Sequence, residues 1–137
     1  VLSGEDAVAK IERFKRMVRA VEVQEEVKDA LALIVATLDP HHDERLANKT
    51  VDEKVASATV VRGAQAALLM AKVNALLEGR AFVTVEDLEG VTVPTLAHRV
   101  MLQADEITEP DLSEKIVANV TQQVLNHIAN ARKSRNG

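Results

Sequence analysis

The sequence predicts an all-α fold, a compact bundle of five to six helices with little or no sheet. Two observations carry that expectation. Apolar residues recur at helical spacing in several long stretches. The composition is 47% hydrophobic and 28% charged over 137 residues, enough to bury one core in one domain. Almost all of that apolar mass is Ala, Val, Leu and Ile, with no internal repeat.

The first helix is expected to open at Ser3, with Asp6 three residues on as a capping pair. Ala7, Ile11, Phe14 and Val18 then fall on one face, and Lys10, Arg13, Lys15, Arg16 and Arg19 line the other. That basic strip is a candidate surface for nucleic acid or an acidic partner subunit, against the plainer reading of a solvated face. A second amphipathic helix spans Gln24 to Leu38, with Val27, Leu31, Ile34 and Leu38 as its stripe. The polar stretch 39–59 follows with little periodicity, and Leu46 and Val51 to Val55 are its candidates for short helical turns.

The third helix runs from about Val60 to Glu78 and stops at Gly79, a residue suited to a helix C-terminus. Being apolar on nearly every side, it is expected to be central and buried. Phe82-Val83 reads as a short extended link, and Thr84 with Asp87 as a helix cap. "VTVPTLAHRVML" reads as a brief helical piece interrupted at Pro94. Pro110 is expected to open the last helix, whose stripe is Ile116, Val120, Val124 and Ile128. Its basic end, Arg132, Lys133 and Arg135, reads as frayed.

Composition excludes several kinds of chemistry. Without cysteine there is no disulfide, thiol nucleophile or thiolate metal site. Two aromatics, Phe14 and Phe82, cannot build a stacking platform for single strands. Seventeen basic against 21 acidic residues leave a net charge of -4, which argues against general nucleic-acid binding. His41-His42 lack the helical spacing of a zinc pair, so no metal site is expected, and His98 and His127 read as structural or surface residues. Glu25-Glu26 and Glu86-Asp87 are neighbours at helix starts, where they complement the helix dipole. No G-x-x-x-x-G-K-[ST] loop is present, so this chain alone has no usual means of gripping a triphosphate.

Arg62 remains. It stands alone in "VVRGAQAALL", at the first turn of a helix, where a cation works against the macrodipole. A guanidinium beside free backbone N–H groups is a receptor for an anion. The plainer alternative is a snorkelling or salt-bridged arginine.

"VRGAQAALLMAKVNALLEGRAFVTVEDLEGVTVPTLAHRVML" resembles the helical lid subdomain of MoxR-type AAA+ ATPases. Arg62 takes the place of the arginine in that family's Gly-Ala-Ser-Pro-Arg segment, and Gly63-Ala64-Gln65 follow as in many members. Gly79-Arg80, Val83-Thr84 and Glu86-Asp87 match the next motif, a Gly-Arg-x-x-Val-Thr-x-x-Asp turn. Leu96, His98 and Arg99 match the closing Leu-x-His-Arg. Upstream, residues 1–38 resemble the linker into the lid and its first long helix. The chain departs from the pattern at Ala58-Thr59-Val60-Val61, where the family has Gly-Ala-Ser-Pro, and at Thr37-Leu38, where it often has Thr-Arg.

The resemblance implies a linker helix over 1–20, leading from an ATPase core, and a lid domain over 21–137. It implies that Arg62 acts as the sensor 2 arginine, reaching the γ-phosphate, with Gly63 beside the nucleotide. Arg80 and Arg99 become candidates for contacts between subunits of a ring. ATP and Mg2+ would be cofactors of the full-length parent, an ATP-hydrolysing enzyme, and would not be bound by this fragment alone. Its partners would be the core of the same chain and neighbouring ring subunits, and its role chaperone-like remodelling or help with metal insertion. The absence of an initiator methionine fits a fragment. With no signal peptide and no apolar run near the ~18 residues of a membrane span, the expected place is the cytoplasm. The competing expectation is a stand-alone helical adaptor that binds a protein or nucleic acid through Lys10 to Arg19.

Overall fold

A computed structural model describes residues 4–104 and 109–136. Ser3, the expected cap of the first helix, lies outside them. The chain is mostly helical, with six α-helices among the described residues: α1 Gly4–Ala20, α2 Glu25–Leu38, α3 Lys49–Lys54, α4 Val61–Leu77, α5 Thr92–Leu96 and α6 Leu112–Asn136. Single 3-10 turns cover Val85–Leu88 and Ala97–Arg99. Four short strands complete it: β1 Glu22–Val23, β2 Val55–Ala58, β3 Phe82–Val83 and β4 Val100–Leu102. No helix among the described residues is long and apolar enough to cross a membrane.

The core lies between α2, α4, α5 and α6. The predicted α2 stripe, Val27, Leu31, Ile34 and Leu38, is buried, as are Ile116, Val120 and Val124 of α6. Leu88 and Leu96 fill the space between those helices and α4. From α4 itself only small residues go inside: Gly63, Ala67, Ala71 and Ala75, one every fourth position. That row lets its backbone lie close against the neighbours.

The expectation of a helix buried all round is therefore overturned. Several large side chains of α4 point outward, with Val61 71% and Leu77 72% exposed, while Leu68 and Leu76 are half-buried against the core. Helix α1 departs in the same direction. Of the stripe Ala7, Ile11, Phe14 and Val18, only Val18 is buried, and Ile11 stays 54% exposed. The helix touches α4, but among the described residues most of its apolar face is left exposed, at Val8, Ile11, Phe14 and Met17.

The strands are short but they pin elements distant in sequence. β1 runs parallel to β3, matching Glu22 with Phe82 and Val23 with Val83. β2 runs antiparallel to β4, with Ala58 opposite Val100 and an irregularity between Val55 and Ser57. Two prolines sit differently from expectation. Pro94 does not interrupt α5 but occupies its first turn, where a backbone N–H has no helical acceptor anyway. Pro110 lies outside α6, because Asp111 between them has φ 62, a left-handed conformation that ends any helix. At the far end, Arg132 makes a two-pronged ion pair with Glu26, so α6 stays helical to Asn136 where fraying was expected.

The stretch 39–59 is ordered by two polar residues. Asn48 caps α3 by accepting from the Val51 N–H at 3.0 Å, and its amide donates to Gln123 of α6 at 2.8 Å. Arg45 pairs with Asp52 beneath the loop, and the Leu46 N–H donates to Thr37 Oγ1 at 3.1 Å.

After α4 the chain turns at Gly79, φ 79, and the Gly79 and Arg80 N–H groups donate back to Leu76 and Ala75. This places Arg80 over the next turn. Its guanidinium donates to both carboxylate oxygens of Asp87, at 2.8 and 2.7 Å, to Glu78 at 2.6 Å and to the Phe82 carbonyl at 3.1 Å. Asp87 also accepts from the Thr84 N–H at 2.7 Å, completing the capping box of the 3-10 turn. Burial pushes the Asp87 carboxyl upward, but the hydrogen bonds from Arg80 and Thr84 outweigh it and hold it below the ordinary aspartate range.

Two predictions follow from this architecture. A depressed carboxyl in the fold adds stability above its unfolded pKa that is lost as pH falls toward the folded value. Asp87→Asn is expected to destabilise the protein at neutral pH, and the gap to wild type should close as pH drops through the carboxylate range; urea unfolding at several pH values measures it. The second concerns the core. Thr92 and Thr121 hydroxyls meet at 2.8 Å in the buried seam between α5 and α6, and Thr121 donates to the Val117 carbonyl. Thr92 must then be the donor in the pair, and Thr121→Val would strand it at a cost of about 1–3 kcal/mol. The same change made on a Thr92→Val background should cost clearly less, as read from a double-mutant unfolding cycle.

Candidate functional site

Arg62 sits in the first turn of α4, and the sequence around it does nothing locally to neutralise a positive end. Val60, at the cap position, makes no side-chain cap, and no acid lies in the first turn of this 17-residue helix. Arg62 is exposed and makes no hydrogen bond or ion pair among the described residues. Free N–H groups, the helix dipole and an unspent guanidinium are thus together at one end of α4.

The direction in which Arg62 faces follows from helical spacing. Positions 62, 66, 69 and 73 share one side of α4. On that side Ala66 is exposed, Leu69 is 56% exposed and Val73 is half-buried. The arginine therefore heads an outward face that is mostly apolar, flanked by the exposed Gln65. Beside it, a groove of about 400 Å3 runs between α2 and α4, lined chiefly by Leu31, Val35, Ala36, Val61, Ala64 and Leu68.

Two connections fix the start of α4. The β2–β4 ribbon brings Ala58 opposite Val100, and the Thr59 N–H donates to the Arg99 carbonyl at 3.2 Å. Sequence reading missed this ribbon, which ties the residues just before α4 to the segment after α5. The second connection is Gly63. It is buried, and the closeness it permits is to α5 of its own chain, against Leu96 and the Thr95 carbonyl.

The other two predicted arginines have different surroundings. Arg80 is committed inside the chain, to Asp87, Glu78 and Phe82, at the end of α4 opposite Arg62. Arg99 is half-buried near Gly63, and its Nε is buried without a hydrogen-bond partner. The structure thus brings Gly63 and Arg99 together beside Arg62 and leaves Arg80 apart. Sequence reading did not single out Arg45, whose side chain is only 14% exposed. The signal available was Asn48, a cap-forming residue three positions before Val51.

Among the residues named for metal or acid–base chemistry, His42 accepts a hydrogen bond from the Glu44 N–H at 3.1 Å, within its own turn. No group of three or more metal-ligating side chains gathers among the described residues.

Comparisons with known proteins bear on the fold and the family. A search of curated proteins finds no match. A crystal structure of a candidate ATPase from Cytophaga hutchinsonii superimposes with a TM-score of 0.69 at 17% identity. The superposition covers 80% of this chain but only 33% of that one, so this chain spans about a third of its structural neighbour. At that identity the likeness speaks for the fold. The AAA lid domain family matches residues 48–127, from the cap of α3 to the last third of α6. That stretch holds the Arg62 turn, its anchoring ribbon and more than half of the sequence, and so the chain belongs to the AAA lid domain family.

Proposed function

We propose that this chain is the lid of a MoxR-type AAA+ ATPase and that Arg62 is its sensor 2 arginine. In this reading Arg62 contacts the γ-phosphate of ATP, which is held with Mg2+ by a separate core. One observation carries the reading: a guanidinium with no partner among the described residues heads an exposed apolar face of α4. An apolar face is what a second lobe would cover, and covering it would bring the arginine to the seam between lobes. There water is scarce and a cation acts strongly on charge developing at phosphate.

The linker role of residues 1–20 fits the same picture. The apolar face of α1 is mostly uncovered, as suits a helix leading to a domain that packs on it. Gly63 serves the nucleotide indirectly, through the place it gives its neighbour. Arg99 keeps its candidacy for contacts between ring subunits; Arg80 would first have to leave Asp87. Closure of the lid over ATP and its release after hydrolysis would pass motion to neighbouring subunits, the means of chaperone-like remodelling in the cytoplasm.

The test is Arg62→Ala in the full-length protein. ATP turnover should fall on the order of 100-fold, as when one charge-stabilising donor is removed from an active site. The far-UV circular dichroism should be unchanged, because Arg62 supports nothing in the fold. Wild-type turnover in the variant would refute the assignment.

A further inference from the structure

We infer that Gly63 is a positioning residue for Arg62: it seats the first turn of α4 against α5 so closely that the arginine's location depends on the missing side chain. The inference rests on the reading of Arg62 given above and extends it to a residue that cannot itself touch phosphate through a side chain.

A Cβ at residue 63 would lie 2.7 Å from Leu96 Cδ2, 2.8 Å from the Thr95 carbonyl oxygen and 3.0 Å from Arg99 Cδ. Ordinary contacts of that kind are several tenths of an ångström longer. Glycine is not there for its backbone freedom: Gly79 is the glycine with positive φ among the described residues, and Gly63 is helical. In a helix interior glycine is a poor choice, so the close contact is what the position supplies.

The surroundings of residue 63 decide which side would yield to an added methyl. The Thr95 carbonyl belongs to the backbone of α5, and the Thr95 hydroxyl is bonded to the Val91 carbonyl at 2.6 Å. Leu96 is fully buried. Thr92, one turn earlier, is tied to Thr121 of α6. Helix α5 is therefore held from behind. The α4 terminus, exposed on its outer side at Val61 and Arg62, has room to move outward. Displacement would carry Arg62 with it, being the next residue in the chain.

The experiment compares ATP turnover by the full-length protein as wild type, Arg62→Ala, Gly63→Ala and the double variant, with circular dichroism as the check on folding. Misplacement of a positioned group by about 1 Å can cost up to about 100-fold, so Gly63→Ala should lower kcat by roughly 10- to 100-fold. Because the glycine acts through the arginine, the double variant should be about as slow as Arg62→Ala alone. Losses that multiply would mean that Gly63 acts by another route and would overturn the inference. So would wild-type turnover in Gly63→Ala alongside slow turnover in Arg62→Ala, an outcome that leaves the role of Arg62 standing. Unchanged turnover in Arg62→Ala would remove both. If Gly63→Ala does not fold, Leu96→Ala takes its place, because it removes the side chain on which residue 63 rests. The same slow, non-multiplying turnover is expected, and wild-type turnover would overturn the inference.

Discussion

Helix α4 touches α5 through backbone and small residues, and that closeness organises the domain. A row of Gly63, Ala67, Ala71 and Ala75 puts no bulk between the helix and its neighbours. The volume that α4 does not supply comes from the other side: Leu96, Leu88, Ile34 and Val124 reach inward from the surrounding elements. A helix packed in this way can keep several of its large apolar residues, Val61, Leu69 and Leu77 among them, for its outer face. The same constraint explains why a strongly apolar helix is only half interior, and why an arginine at its head faces an apolar surface.

Much of this was legible in the sequence. The stripes of α2 and α6 repeat at helical spacing and bury large side chains, so period and burial coincide. Gly79 and the Thr84–Asp87 box were legible because each meets a local backbone demand, a left-handed turn in one case and free N–H groups in the other. Helix α4 misled because hydrophobicity alone cannot distinguish a face that packs within the chain from one left for another surface. Helix α1 misled for the same reason. The two ribbons were illegible for a different one. Strands of two to four residues carry too little alternation to register, and their pairing joins segments more than 40 residues apart, as with Ala58 and Val100.

Of the candidate site, the sequence singled out the unusual cation but not its setting. Arg62 was conspicuous because no local interaction justified it, and the structure gives it none among the described residues. Arg80 and Arg62 each stand next to a glycine in the sequence. They differ because Asp87 lies seven residues beyond Arg80, across a turn that folds it back within reach, whereas no acid among the described residues pairs with Arg62. The motifs gave the two arginines different places, but the pairing of Arg80 with Asp87 emerges only from the folded turn.

Helix α4 is also fastened differently at its two ends. At the Arg62 end it is joined to α5 and, through the preceding residues, to the β2–β4 ribbon. At the Gly79 end it runs through the Arg80 clip into β3, which lies alongside β1, the segment that follows α1 directly. A 17-residue helix is a stiff rod about 25 Å long. The rod therefore ties the β1–β3 pair at its foot to the turn at its head, where Arg62 has no partner among the described residues. A rod that stiff moves as one piece, so the place of the cation is set from both of its ends.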